Sequence, residues 1–308
     1  MITHLPPERT MDAASPVDLR QLAARLATMR RSGAPSLAIA IPVNAQGDLG
    51  NVVHLLDDLA SYRGSRAVEI VLVVNNFPEA SPPPEVATLR RLGVQVLATP
   101  SVRRAGEAVG FSGRVVGAQA ATAPYVVFFD ADCRIPNATA LLDWYAEQLQ
   151  GGAHAAYTWV TYVDCADALA VRVKLALHHA SRSFKRVVLG IPTTQGCNYA
   201  VRRDSLLELY SQGYLADEMN VGPTIKALKG PVAYSRARRL HVLTSGRMFT
   251  ARWGRIIPYF TQRLLYNLRV IPVRPGVARR TGRERDPVRR YVDNRPVRDE
   301  TEASAARQ

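Results

Sequence analysis

Cysteine is scarce in this chain: three in 308 residues, Cys133, Cys165 and Cys197, with no CxxC pair among them. That spacing argues against a disulfide framework or a structural zinc site and suits a reducing compartment. Long apolar runs are missing too. No uncharged stretch approaches the roughly 18 residues needed to cross a bilayer. Met1 to Gly33 is polar and Arg-rich, so no secretory leader is expected. The third absence is of acid. Between Glu218 and Glu284 there is no Asp or Glu, while Lys226, Lys229 and twelve arginines fall in that stretch. Two lysines plus twelve arginines give +14, the net charge of the whole chain, so the remainder sums to zero. Such a block suits a polyphosphate ligand, an anionic membrane surface or nucleic acid, or is simply a solvated basic face.

What is present is ordinary for a soluble globule: 47% hydrophobic and 21% charged residues, with length for one large or two small domains. After a lead-in over residues 1–33 with a short helix around Val17–Arg31, strand and helix signals alternate. Ser36–Val43, Glu69–Val74, Val94–Ala98 and the run into Asp130 read as strands. Asn51–Tyr62, Val86–Leu92 and Gly110–Ala121 read as helices. This alternation predicts a parallel sheet with right-handed crossovers. Further along, Ala138–Leu149 is expected as a helix and Ala155–Tyr162 as one alternating strand. Ala166–Leu189 is expected as a long basic helix, Gly190–Asn198 as a loop, and Ser205–Gln212 and Val221–Leu228 as helices.

The segment with the most chemistry is Tyr125-Val126-Val127-Phe128-Phe129-Asp130-Ala131-Asp132. A buried strand that ends in two carboxylates places them where open α/β sheets bind ligands. In the turn, both can reach one divalent cation and the phosphate oxygens it carries. The plainer account is a helix-capping Asp130 and a solvated Asp132.

Five landmarks then occur in order: Pro42-Val43-Asn44, Val74-Asn75-Asn76, Phe128-Phe129-Asp130-Ala131-Asp132, Gly196-Cys197-Asn198-Tyr199-Ala200-Val201-Arg202-Arg203 and Ala216-Asp217-Glu218. From about Pro35 to Arg247, the chain resembles the family 2 glycosyltransferases of the GT-A fold. The resemblance implies a Rossmann-like α/β domain with a mostly parallel central sheet flanked by helices. It implies a nucleotide-diphospho-sugar donor, Mn²⁺ or Mg²⁺, and an acceptor hydroxyl. Pro42, Val43 and Asn44 would line the base and ribose pocket. Asn75 stands where such enzymes often carry an aspartate. Asp130 would meet the ribose or the metal, and Asp132 would ligate the metal. Gly196 and Asn198 would lie under the transferred sugar. In the acidic pair, Glu218 is the positional match for the base of an inverting transfer and Asp217 the neighbouring option. His241 would be a further metal ligand, or else is a structural histidine packed beside apolar residues. Arg247, in Thr244-Ser245-Gly246-Arg247, would meet the diphosphate.

Arg103, Arg104 and Gly106 precede a small-residue helix and suggest a basic loop for the diphosphate, or else a solvated loop. The layout expected is a lead-in over 1–33, a catalytic domain over 34–246, a basic aromatic helical extension over 247–274 and a disordered tail over 275–308. The extension has Trp253, Ile257, Phe260, Leu264 and Leu268 at helical spacing among arginines. It would suit an anionic membrane and a lipid or lipid-linked acceptor, or would dock on the domain. A cytoplasmic protein seated peripherally at the inner membrane face is expected. Two rivals stand beside this reading. A nucleotidyltransferase would use the same paired carboxylates, but Asn44-Ala-Gln-Gly-Asp48 lacks the basic residue it normally needs. A non-catalytic protein binding anions or nucleic acid through the 219–283 block would not need Asp132.

Overall fold

The computed structural model describes residues 17–29, 33–78, 81–102, 104, 107–165 and 168–246, with residues 249, 253, 257, 261 and 275. Most of the expected extension and tail over 247–308 therefore lies outside the described residues. The elements in chain order are α1 (Leu19–Met29), β1 (Leu37–Asn44), α2 (Leu49–Leu59), β2 (Val68–Asn75), α3 (Glu85–Arg91), β3 (Gln95–Ala98), α4 (Val109–Ala120), β4 (Tyr125–Phe128) and α5 (Ala138–Gln150). There follow β5 (Ala155–Thr158), β6 (Val160–Val163), α6 (Leu169–Val187), β7 (Tyr199–Arg202), α7 (Arg203–Ser211), α8 (Glu218–Leu228), β8 (Val232–Ser235) and β9 (Val242–Ser245).

Seven strands form one sheet in the order β3-β2-β1-β4-β7-β5-β8. Six run in one direction and β7 alone runs against both its neighbours. The expected α/β class with a mostly parallel sheet is what the structure has. A second, two-stranded sheet pairs β6 with β9 in parallel.

The continuous apolar run of β1 follows from burial on both faces. Leu37, Ile39, Ile41 and Val43 enter one core cluster with Val52, Leu55, Leu56 and Leu59 of α2. Ala38 and Ala40 enter the other cluster, with Phe111, Val115 and Ala118 of α4. Each fully buried Leu or Ile contributes about 1.5–3 kcal/mol by leaving water. On the α4 side, small residues set how near the helix can come. A Cβ added at Gly117 would fall 2.9 Å from the Ala40 Cβ, and one at Gly113 3.0 Å from the Pro42 Cβ. Glycine at these positions seats α4 close on β1 and brings Arg114, which lies between them, to the sheet's carboxyl edge.

Three local expectations change. The segment Ala155–Tyr162 is not one strand: it breaks at Trp159 into β5 and β6, which belong to different sheets. The break is held by Asn198, whose Nδ2 donates to Thr158 Oγ1 at 2.8 Å and to the Trp159 carbonyl at 3.3 Å. Strand β9 had no reading of its own in the sequence, because four residues beside three arginines carry little periodic signal. Helix α8 begins at Glu218 rather than at Val221.

Helix α6 turns its polar side inward. Lys174, His178, Arg182 and Lys185 are buried, whereas Leu169, Val173, Leu177, Phe184 and Val187 are exposed. No helix among the described residues is long and apolar enough to cross a membrane.

Candidate active site

The turn after β4 keeps Phe129 fully buried while its next residues reach the edge, and Cys133 N–H closes the turn on the Asp130 carbonyl at 3.0 Å. Asp130 forms an ion pair with Arg114, whose side chain is 3% exposed. Arg114 Nε also donates to the Gly196 carbonyl at 3.1 Å, and its Nη1 lies 4.0 Å from Glu218 Oε2. One guanidinium therefore spans the strand-end acid, the backbone of the 190–198 loop and the acid that opens α8. Burial disfavours the Arg114 charge, but Asp130 and then Glu218 outweigh that cost and hold it protonated. A Cβ at Gly196 would fall 2.3 Å from Arg114 Nη2, so any other residue there would displace the guanidinium.

Asp217 and Glu218 divide their tasks by geometry. Asp217 caps α8, its carboxylate accepting from Met219 N–H at 2.8 Å while Asn220 Oδ1 accepts from Asp217 N–H at 3.2 Å. This capping box occupies Asp217 structurally and leaves Glu218 as the carboxylate directed at Arg114. Thr194 Oγ1 donates to the Glu218 carbonyl at 2.7 Å and accepts from Gly222 N–H at 3.1 Å, fixing the helix start to the same loop.

Asp132 lies on a cleft of about 170 Å³ with Asn51, His54, Cys133, Arg134, Asp164 and Ser245. Thr244 Oγ1 donates to its Oδ1 at 3.4 Å. The cleft floor is braced by Arg134, which makes paired bonds to Asp58 at 2.7 and 2.9 Å. Among the described residues, no three His, Cys, Asp or Glu side chains group as they would around a metal ion. Asp130, Asp132 and the Thr244 hydroxyl supply only oxygen, which fits a hard divalent cation taking its other ligands from phosphate and water.

The positions predicted for the donor's base and ribose meet at the ends of β1 and β2, where the register pairs Asn44 with Asn75. Asn44 Oδ1 accepts from Asn76 Nδ2 at 2.9 Å and from Gln46 N–H at 3.1 Å. Asn76 sits in the left-handed region (φ 66°) that asparagine tolerates. Asn75 is buried and directs its Nδ2 at the carbonyls of Val43 and Val73, at 3.3 and 3.2 Å. Val43 has its side chain in the α2-side core, so only its backbone faces the edge. Pro42 faces α4 at Gly113.

Three of the predicted residues are engaged within the fold itself. Asn198 is buried, accepting from the Tyr145 hydroxyl and donating to Thr158 and Trp159, so its amide holds the strand break. His241 has Nδ1 3.2 Å from Thr161 Oγ1 and Nε2 3.1 Å from the Arg236 carbonyl, so both ring nitrogens are engaged within the fold. Arg104 bonds the Tyr210 hydroxyl and lies over that ring, and Tyr210 in turn donates to Glu107 at 3.1 Å. Arg103, Gly106 and Arg247 lie outside the described residues.

Sequence reasoning missed Arg114 and Glu107. Arg114 did carry a signal: it is the one charged residue within Val109–Ala120, a segment of small and apolar residues. A lone charge in such a helix needs a buried partner. Glu107 is buried where it accepts from Ser112 Oγ at 2.9 Å as well as from Tyr210.

No protein-family model matches the sequence, and a search of curated proteins gives no match. Among solved structures, the chain is similar to glucosyl-3-phosphoglycerate synthase of M. tuberculosis, at 15% identity over 84% of this chain and 85% of that one, with a TM-score of 0.46. It is similar to the mannosyltransferase PcManGT of Pyrobaculum calidifontis, solved with GDP-Man and Mn²⁺, at 16% identity over 80% and 69% of the two chains and a TM-score of 0.49. A third is S. aureus TarS 1-349 in complex with UDP, at 14% identity over 76% and 65% and a TM-score of 0.48. Similarity at this level leaves the chemistry of the site to be argued from its own residues.

Proposed function

We propose that the chain is a glycosyltransferase of the GT-A kind, moving a sugar from a nucleotide-diphospho-sugar to an acceptor hydroxyl with a divalent cation, Mn²⁺ or Mg²⁺. The observation that carries this is the joining of Asp130 to Glu218 through buried Arg114, beside the cleft that Asp132 lines. Asp130 and Asp132, with Thr244, would hold the cation, which when bound neutralises charge on the departing diphosphate. Glu218 is the residue we assign to take the proton from the attacking hydroxyl, giving inversion at the anomeric carbon. Arg114 positions Glu218 and Asp130 against each other, so that base and donor site share one geometry. Asn44, Asn75 and the backbone of Val43 would border the nucleoside. Placement and fixed charge, not covalent chemistry, would supply most of the rate.

The acceptor we propose is presented at a membrane surface. Leu169, Val173, Leu177, Phe184 and Val187 form an outward apolar face on α6, and Trp253 and Ile257 are also exposed. From Ala168 to Arg203 there is no acidic residue, so the charge around this face complements an anionic lipid surface. Cosedimentation with phosphatidylglycerol vesicles should capture the full chain at low salt. Leu177→Gln with Phe184→Gln should abolish capture, and equal capture of that variant rules the contact out.

The central test is thermal denaturation with a panel of nucleoside diphosphates, with and without Mn²⁺. One diphosphate should stabilise the protein only with metal, by about 2–3 kcal/mol at a hundredfold excess over Kd. Asp132→Asn should remove that gain. A panel without any metal-dependent stabilisation would refute the transferase reading.

A further inference from the structure

Arg182 is 7% exposed, and its Nη2 donates to the Thr193 carbonyl at 2.9 Å. Its Nε and Nη1 have no hydrogen-bond partner among the described residues, and neither do Thr193 Oγ1 and the Tyr234 hydroxyl nearby. A buried guanidinium held only by one neutral carbonyl is costly unless an anion completes it.

Two more arginines converge on the same place. Arg186 lies over the Tyr234 ring at 3.9 Å, and Arg236 lies over the Trp159 ring at 4.5 Å. Tyr234 packs on Tyr157 at 4.8 Å between ring centres, and the Tyr157 hydroxyl accepts from Thr193 N–H at 3.2 Å. None of the ion pairs among the described residues takes Arg182, Arg186 or Arg236. The reason is in the sequence: residues 168–203 and 219–283, which supply all three, contain no Asp or Glu. Three cations without an ion pair among the described residues make a net positive cluster, with Arg182 buried, Arg186 half-buried and Arg236 exposed to solvent.

We propose that Arg182, Arg186 and Arg236 form a binding site for a phosphate-type anion, separate from the acidic cleft. Thr193 and Tyr234 add hydroxyl donors, and guanidinium forks match the geometry of a phosphate. The site lies where β5 and β8 end. Both strands run in the same direction as β4, so the anion would occupy the same sheet edge as Asp130, on the far side of β7. It does not depend on the transferase reading. Two sources share this chemistry: free inorganic phosphate, and a phosphate group carried by a hydroxyl-bearing small molecule.

Titration calorimetry on the full chain with inorganic phosphate tests it. Saturable binding at one site is expected, weakened about tenfold by Arg236→Ala and by Arg186→Ala, for the loss of one charge-assisted contact each. Both side chains reach solvent, so these variants should fold. Asp132→Asn should bind phosphate as well as the parent. Repeating the titration with glycerol 3-phosphate identifies the source: tighter binding points to a phosphorylated hydroxyl compound, and equal binding to the free ion. Absence of phosphate binding, binding unchanged in both arginine variants, or binding lost in Asp132→Asn would each overturn the proposal. Failure here leaves metal-dependent nucleotide binding unaffected, so the two ideas stand or fall separately.

Discussion

Arg114 and Arg182 are both buried guanidiniums near one sheet edge, but their surroundings are opposite in charge. Arg114 faces Asp130 and Glu218 and a carbonyl. Arg182 faces a carbonyl and shares its neighbourhood with Arg186 and Arg236. The first is balanced by groups of the chain itself, so the folded protein is complete without a ligand there. The second has no balancing acid, and its cost is recovered only when an anion arrives. A buried cation is thus a structural element in one case and a receptor in the other, and the sign of its neighbours decides which.

The contrast can be broken most directly through Glu218. Glu218→Gln keeps the shape and removes the proposed base, so kcat should fall about 10²–10⁴-fold with KM for the donor little changed. A loss in donor KM alone would make Glu218 a binding residue. Next in size, Arg114→Met should cost about 3–5 kcal/mol in urea denaturation, because it strands buried carboxylate charge. The same change at Arg182 should act in the opposite direction. Arg182→Met replaces an unbalanced charge with apolar volume and should stabilise the phosphate-free protein by about 1 kcal/mol. Saturating phosphate should narrow or reverse that gain.

A pH-dependent effect concerns His179, stacked on Trp159 at 4.5 Å. Burial, then Arg182 and Arg236, depress it from 6.5 to about 4. The folded protein keeps this ring neutral, whereas the unfolded chain protonates it below about 6.5. Its contribution is therefore fully present above pH 6.5 and is lost as pH falls toward 4. Melting temperature should decline over that window, less so in His179→Gln. Arg182→Met should also shallow the decline, since it removes one of the depressing charges.

The parallel half of the sheet was legible because β1, β2 and β4 are buried on both faces, and an apolar run between turn residues admits few other structures. The acidic landmarks were legible as well, since carboxylates at a strand end and at a helix start stand out in apolar surroundings. What joins them was not. The link from Asp130 through Arg114 to Glu218 depends on how closely α4 sits on β1, which is set by Gly113 and Gly117 meeting Pro42 and Ala40 in three dimensions. The partners of Asn198 and His241 were not legible for one common reason. A polar residue in a loop looks available until its partners are known, and Tyr145, Thr158, Thr161 and Arg236 come from other elements of the fold. The inverted face of α6 could be seen as basic residues at helical spacing, but nothing local says which side faces in.

The tetrapeptide Thr193–Gly196 touches both buried arginines and the start of α8. Thr193 takes Arg182, Thr194 ties down the backbone at Glu218, and Gly196 takes Arg114. Four consecutive residues thus act as a common rail for the anion pocket and the acid pair. With a carbonyl grip at each end and a hydroxyl grip between, the rail fixes the spacing of the two guanidiniums along one short stretch of backbone.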